Sequence, residues 1–319
     1  LNRLIEKECE EILHLLTHIE DADPHVLKQE IYHQFESIQK RLARVDDPYI
    51  KERLFQMFDS FDQGIMHRRT RQKPLGYAGD YLTIDYIYTY KTDTCPRGRC
   101  FDRLFHLYEA SEAVRNRKSY FIEKCCSLLR HSESDLDVLS VACGSCRDLL
   151  DAHVKTHFSP QIRFHGVDKE PEAIEYARNL LKGTPTIHQT SLECNSIFRF
   201  KTDRTYDLIW CAGIFDYLDE RPAVFLLNRL ENLLRPGGEL IFGNFSPKNP
   251  TRWGMEIGSQ WNLIHRDAAH LMTLCFKAEL DFEEIHIESE PLGINLFCVV
   301  KKPKGKLRHH STKIKPKKV

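Results

Sequence analysis

The sequence carries no surplus of charge: 46 Lys and Arg offset 46 Asp and Glu across 319 residues. A chain-wide electrostatic grip on nucleic acid is therefore excluded, and only a local segment keeps that option. No run of about 18 apolar residues occurs, so no transmembrane segment is expected. The longest apolar stretches, such as Val138–Cys143 and Leu296–Val300, have strand length. The opening LNRLIEKECEE is too charged for a secretory leader. The chain begins at Leu1 rather than Met, as a fragment or trimmed chain does. Eleven cysteines are spread without the density of a disulfide scaffold, which points to reduced thiols and a cytoplasmic setting. Cys95 and Cys100 resemble half of a zinc set, but no companion pair stands beside them, and no metal is expected.

What is present divides into three parts. Residues 1–130 read as an N-terminal helical domain or cap. Leu1, Leu4, Ile5, Ile12, Leu15, Leu16 and Ile19 recur at helical spacing. Asp23-Pro24 is a start signal, with Asp as N-cap and Pro at the first helical position. Leu27, Ile31, Phe35, Ile38 and Leu42 line the next face, and Tyr49, Leu54, Phe55, Phe58 and Phe61 a third. Between Arg68 and Tyr90, Pro74, Gly76 and Gly79 break any long helix. There Arg68, Arg69, Arg71 and Lys73 precede Tyr77, Tyr81, Tyr86, Tyr88 and Tyr90. Such a mixture suits a nucleic-acid surface, an anion pocket, or a solvated face beside an aromatic core; composition favours the last. One further helix is expected from about Arg103 to Leu129.

From residue 131 to 302 strands and helices alternate. DVLSVAC, RFHGVD, TIHQTSL, YDLIWCAG and ELIFGNF read as strands separated by helices such as PEAIEYARNLLKG. Repeated βα units imply a parallel sheet covered on both faces. EEIHIESE and NLFCVVKK lack an intervening helix and read as an antiparallel hairpin at one edge. Residues 303–319 hold a run of lysines that cannot build a core, and are expected to form a disordered basic tail. It reads either as a solvated tail or as a segment that touches anionic membrane lipid or nucleic acid.

Open parallel sheets bind ligands beyond the carboxyl ends of their strands. The first strand ends in SVACGSCR, a turn of small residues that lets backbone N–H groups approach a ligand. The second ends at Asp168, whose ionised carboxylate can accept both hydroxyls of a ribose. The third is expected to end near Ser191 and Leu192, and the fourth at Cys211, Ala212 and Gly213.

VLSVACGSC, GVDKEPEAIEYAR, YDLIWCAGIFDYL and LLRPGGELIF in this order resemble the Rossmann-like S-adenosylmethionine-dependent methyltransferases. RRTRQKPLGYAGDYLTIDYIY, QWNLIHR and GINLF further resemble the bacterial methyltransferases of 3-hydroxypalmitic acid methyl ester biosynthesis. The resemblance implies a seven-stranded, mostly parallel α/β sheet behind an N-terminal helical domain. It implies S-adenosylmethionine as cofactor, with Ala142, Cys143 and Gly144 near its methionine part and Asp168 on its ribose. Tyr77, Lys169, Ser191, Leu192, Cys211, Ala212 and Gly213 complete the expected cofactor set. Ser140 replaces the usual acidic residue, and Ala142 and Cys146 replace glycines. The CGSC spacing then reads as small loop residues rather than a redox pair.

Methyl transfer is an in-line displacement that needs alignment and exclusion of water. A carboxylate acceptor is already ionised and needs no general base. The expected acceptor is a small or lipid-like acid. Arg71, Lys73 and Asp80, with Phe215, Tyr217 and Trp261, form the expected substrate set. Tyr77, His265 and Arg266 form the expected catalytic set. Each has a plainer alternative: interface packing for Tyr77, core for Trp261, a satisfied histidine for His265, an ion-pair partner for Arg266. Asp216 is either a base or a helix cap. A protein or nucleic-acid methyltransferase and a non-catalytic cofactor-binding module are the competing functions, nucleic acid being disfavoured by charge. A homodimer through the helical region is also open.

Overall fold

A computed structural model describes residues 2–42, 48–132 and 134–305. Helices α1 (Asn2–Thr17), α2 (Pro24–Leu42), α3 (Pro48–Met57), α4 (Ile65–Gln72), α5 (Tyr81–Thr89), α6 (Pro96–Leu107) and α7 (Glu109–Arg130) precede the first strand. Asp23 caps α2 as expected, its Oδ1 accepting the N–H groups of His25 and Val26 at 2.9 and 3.1 Å. Ile5, Ile12 and Leu16 of α1 and Leu27, Ile31, Phe35 and Ile38 of α2 are buried against Leu54, Phe58, Phe61, Phe101 and Leu104. Burying each such side chain contributes about 1.5–3 kcal/mol, which is how an amphipathic helix becomes stable at all.

The single helix expected over 103–129 is two. Tyr108 is extended between α6 and α7 (φ −64°, ψ 137°). The break carries its ring to Tyr32 and His67, each 6.0 Å away between centroids.

The sheet contains β1 (Leu136–Val141), β2 (Ile162–Asp168), β3 (Thr190–Cys194), β4 (Tyr206–Cys211), β5 (Leu234–Phe245), β6 (Glu284–Ser289) and β7 (Asn295–Lys301). Their order is β3-β2-β1-β4-β5-β7-β6, with β7 antiparallel to both neighbours. Helices α8 (Arg147–Lys155), α9 (Pro171–Leu181), α10 (Glu220–Asn232) and α11 (Ala268–Lys277) complete the described elements. The segment TIHQTSL is only half strand: Pro185–Gln189 is a 3-10 turn and β3 starts at Thr190.

The helical region divides by what it packs on. α1, α2 and α6 share a core with Trp253, from the segment after β5. α7 instead buries Phe121 and Cys125 against Leu136 and Val138 of β1, within the sheet's own core. Residues 306–319, most of the expected basic tail, lie outside the described residues. Leu1 and the side chains of Leu42 and Tyr49 do too.

Candidate active site

A cleft of about 450 Å3 opens at the carboxyl ends of β1, β2 and β4, where chain order reverses across the sheet. Its floor is the β1–α8 turn. Ala142, Gly144 and Cys146 all have left-handed backbones (φ 52°, 54° and 56°). Glycine adopts this conformation freely, whereas Ala and Cys each lose about 1–2 kcal/mol there. The structure thus keeps a glycine-type turn at two positions that lack glycine.

That turn is tied to β2 through Asp168. The Gly144 N–H donates to Asp168 Oδ2 at 2.9 Å, and the Glu170 N–H donates to Oδ1 at 3.0 Å. The Asn195 N–H reaches the Asp168 carbonyl at 2.8 Å, so the segment after β3 joins the same junction. Burial raises the Asp168 pKa against these lowering N–H bonds. Each carboxylate oxygen retains lone-pair capacity toward the cleft, which is the donor set a ribose diol fits.

The roof comes from the turn before α5. Tyr77 faces Tyr217 at 6.0 Å between ring centroids, and the Trp261 indole N–H donates to the Tyr217 hydroxyl at 2.9 Å. A Cβ on Gly79 would lie 2.6 Å from that hydroxyl and 2.7 Å from the Trp261 ring. Only glycine allows the roof to sit this close. The Lys169 ammonium lies 5.3 Å above the Tyr77 ring.

The inner wall holds three ionisable groups. Arg117 of α7 is 6% exposed and donates to the Ala212 carbonyl at the end of β4. Its Nε has no hydrogen-bond partner among the described residues, while the Tyr88 oxygen accepts from the guanidinium and Asp216 and Asp148 act on it as nearby acidic groups. Asp216 is buried, with Oδ1 accepting the Phe245 N–H at 2.7 Å, and burial pushes its pKa up to about 7. Burial likewise pushes Asp148 up to about 6.

Residues 132–292 match the family described as a methyltransferase domain. The chain belongs to that family. This methyltransferase is 28% identical to nodulation protein S of Rhizobium fredii over 145 residues, covering 41% of its own length and 79% of the relative. Nodulation protein S of Sinorhizobium fredii is 28% identical over 95 residues, covering 30% of this chain and 43% of the relative. A solved structure described as a possible exported protein from Bordetella parapertussis aligns with a TM-score of 0.55 at 20% identity. It covers 75% of this chain and 94% of that one, and shows the shared fold. The methyltransferase depends on S-adenosylmethionine. When bound, that cofactor supplies an electrophilic methyl group on a sulfonium; Asp168 and the β1–α8 turn are the residues that would hold it.

Among the residues expected from sequence, Tyr77, Ala142, Cys143, Gly144, Asp168, Lys169, Ala212, Gly213, Tyr217 and Trp261 all line the cleft. The others do not. Ser191 lies near the amino end of β3, bonded to Arg204, because β3 runs on to Cys194; Asn195–Phe198 reach the cleft instead. Leu192 packs into the sheet core for the same reason of register. Cys211 points into the opposite core layer, and Phe215 stacks on Phe242 at 4.6 Å.

The cationic candidates are structural. Arg71 is buried, reaching the carbonyls of Gly258 at 2.7 Å and Phe55 at 3.0 Å and the carboxylates of Asp59 and Asp62. Lys73 donates to the Gln260 carbonyl at 3.1 Å, outside the cleft. Arg266 donates to the Phe215 carbonyl and Asn244 Oδ1 at 2.7 and 2.8 Å, and to the Leu218 carbonyl. Asp80 caps α5 through the N–H groups of Leu82 and Thr83 and pairs with Arg69 at 2.6 Å. His265 has Nδ1 3.1 Å from the Leu263 carbonyl and does not line the cleft. Sequence reasoning missed Arg117, although a signal existed. It interrupts the apolar stripe Val114, Phe121 and Cys125 on α7, where a charge has no structural reason to fall.

Proposed function

We propose that this methyltransferase methylates the carboxylate of a small or lipid-like acid, giving a methyl ester. The observation carrying the reading is Arg117: a buried guanidinium in the cleft with an unpaired Nε. A buried guanidinium with a free donor keeps capacity for an anion, and a carboxylate ligand is its natural complement. The resemblance of the GYAGD stretch to the hydroxypalmitate ester family points the same way.

Arg117 would hold the acid so that one carboxylate oxygen lines up with the sulfonium methyl. With the cofactor bound, that oxygen would accept the methyl group, S-adenosylhomocysteine being the leaving group and a neutral ester the product. No proton has to be removed. Tyr77, Tyr217 and Trp261 exclude water, which strengthens the electrostatics inside.

Asp216 supports a second reading. A carboxyl with pKa near 7 is suited to general-base work on an alcohol or amine. The two differ in pH dependence. An acid acceptor should give kcat/KM that falls as Asp216 ionises beside Arg117, whereas a base-dependent acceptor should give a rise.

The direct test is Arg117→Gln, with organic acids as acceptors. KM for the accepted acid should rise by about 100-fold, while affinity for S-adenosylhomocysteine stays the same. A fall in S-adenosylhomocysteine affinity, with 5′-methylthioadenosine binding unchanged, would place the cofactor's own carboxylate on Arg117. The acid reading would then lose its support.

A further inference from the structure

The cleft does not end at its aromatic wall. Val114, Phe245 and Trp261 line both the cleft and a second chamber of about 40 Å3. The far side of that chamber is built by the helical region, with Phe35, Phe61 and Phe105 prominent, and Trp253 closes it. None of these residues serves the cofactor cleft.

Polar side chains also line it, but Tyr32, Ser111, Thr251 and Ser259 are hydrogen-bonded to protein groups, which leaves His67 as the lining residue with a buried unpartnered atom among the described residues. His67 of α4 is 4% exposed, and its Nδ1 has no hydrogen-bond partner among the described residues. Phe61 and Phe105 hold the ring edge-on at 4.7 and 5.0 Å between centroids. Burial, with Arg71 and His106 nearby, pushes the imidazole pKa down to about 3, so it is neutral at physiological pH. A neutral imidazole offers one donor and one acceptor nitrogen. It therefore suits a hydroxyl rather than a charged group, and a bare hydrocarbon would leave it unpaired.

We propose that this chamber receives the apolar end of the methyl acceptor, and that His67 hydrogen-bonds a hydroxyl carried on that end. The inference rests on the small-acid reading above and narrows it. A water needs roughly 10–15 Å3 of such space, so the chamber admits about three heavy atoms beyond the wall. The acceptor class is then a short hydroxy acid, with its carboxylate at Arg117 and its hydroxyl at the distal end. A long acyl chain is not accommodated.

Two measurements test this separately. Ethanol, with three heavy atoms, probes the chamber without any acceptor. It is titrated into the S-adenosylhomocysteine-loaded enzyme carrying 15N-labelled histidine. The His67 ring signals, identified by their loss in His67→Phe, should shift saturably. A linear drift shared by all 16 histidines overturns the site.

The second measurement compares terminal hydroxy acids, from hydroxybutanoate to hydroxyoctanoate, with their unsubstituted partners as acceptors. The wild type should favour a hydroxylated acid by about tenfold in kcat/KM. His67→Phe should erase that preference, with the larger loss falling on the hydroxylated acid. Equal losses on both acids would mark His67 as structural and overturn the proposal, as would a preference for hexadecanoate. Saturable ethanol binding without methylation of any acid would refute the acid reading and uphold the chamber.

Discussion

Arg71 and Arg117 are both buried guanidiniums in the helical region, 7% and 6% exposed, yet they do opposite things. Arg71 sits in a socket of two carbonyls and two carboxylates, and its plane stacks on Phe55 with Cζ 4.0 Å from the ring centroid. Arg117 has the Ala212 carbonyl and the Tyr88 oxygen, with Asp216 and Asp148 nearby and an unpaired Nε. Residue type marks both as anion clamps. Direct ion pairing separates them, since Nε lacks a hydrogen bond in both: Arg71 touches two carboxylates that hold the fold together, whereas Arg117 keeps capacity for a ligand. The same contrast holds at the carboxylates. Asp80 is spent on a helix cap and Arg69, while Asp168 lends its oxygens to two backbone N–H groups and still faces the cleft.

The sharpest way to break this contrast is to remove each charge in turn. Arg71→Met strands two buried carbonyls and the half-buried Asp62, and should cost about 3–5 kcal/mol in urea unfolding. A cost below about 1 kcal/mol would show that the socket is not structural.

Asp216 extends the comparison to pH. Its folded pKa, near 7, lies well above the usual carboxylate value, so the folded state binds its proton more tightly. Its contribution is therefore fully present below about pH 4 and is lost as pH rises through 7. Asp216→Asn should become more stable relative to wild type across that window, by about 2–4 kcal/mol. A parallel pair of stability curves from pH 4 to 8 would mean that Asp216 ionises normally.

Arg117→Met should cost less than Arg71→Met. Arg117 makes no direct ion pair among the described residues, although Asp216 and Asp148 lie near it, so its removal should cost at most about 1–2 kcal/mol, while acceptor turnover falls. Thermal unfolding beside a methyl-transfer assay reads both. A loss of stability matching that of Arg71→Met would erase the distinction.

Legibility in the sequence followed the same division. β1, β2, β4 and β5 were readable because their residues are buried on both faces and form apolar runs. β3 is a partly exposed edge strand with polar residues, so its boundary slipped and carried Ser191 and Leu192 with it. Asp168 was readable because strand position alone fixes it. The cationic residues were not, because whether a guanidinium is saturated depends on carbonyls far away in sequence: Gly258 is 187 residues from Arg71. The chamber was equally hidden, since α2, α4, α6 and the segment after β5 meet there only in the folded chain.

The smallest effect concerns the turn itself. Ala142 holds a left-handed backbone that glycine would adopt without penalty. Relief of about 1–2 kcal/mol of strain is opposed by the greater freedom glycine gives the unfolded chain, about 0.4–1 kcal/mol. Ala142→Gly should therefore raise stability by at most about 1.6 kcal/mol. Its informative readout is S-adenosylhomocysteine affinity. If the strained turn is already set for the cofactor, affinity should change by less than about threefold. A tenfold gain would mean that the alanine methyl obstructs the cleft floor, and that the departure from glycine weakens the cofactor grip.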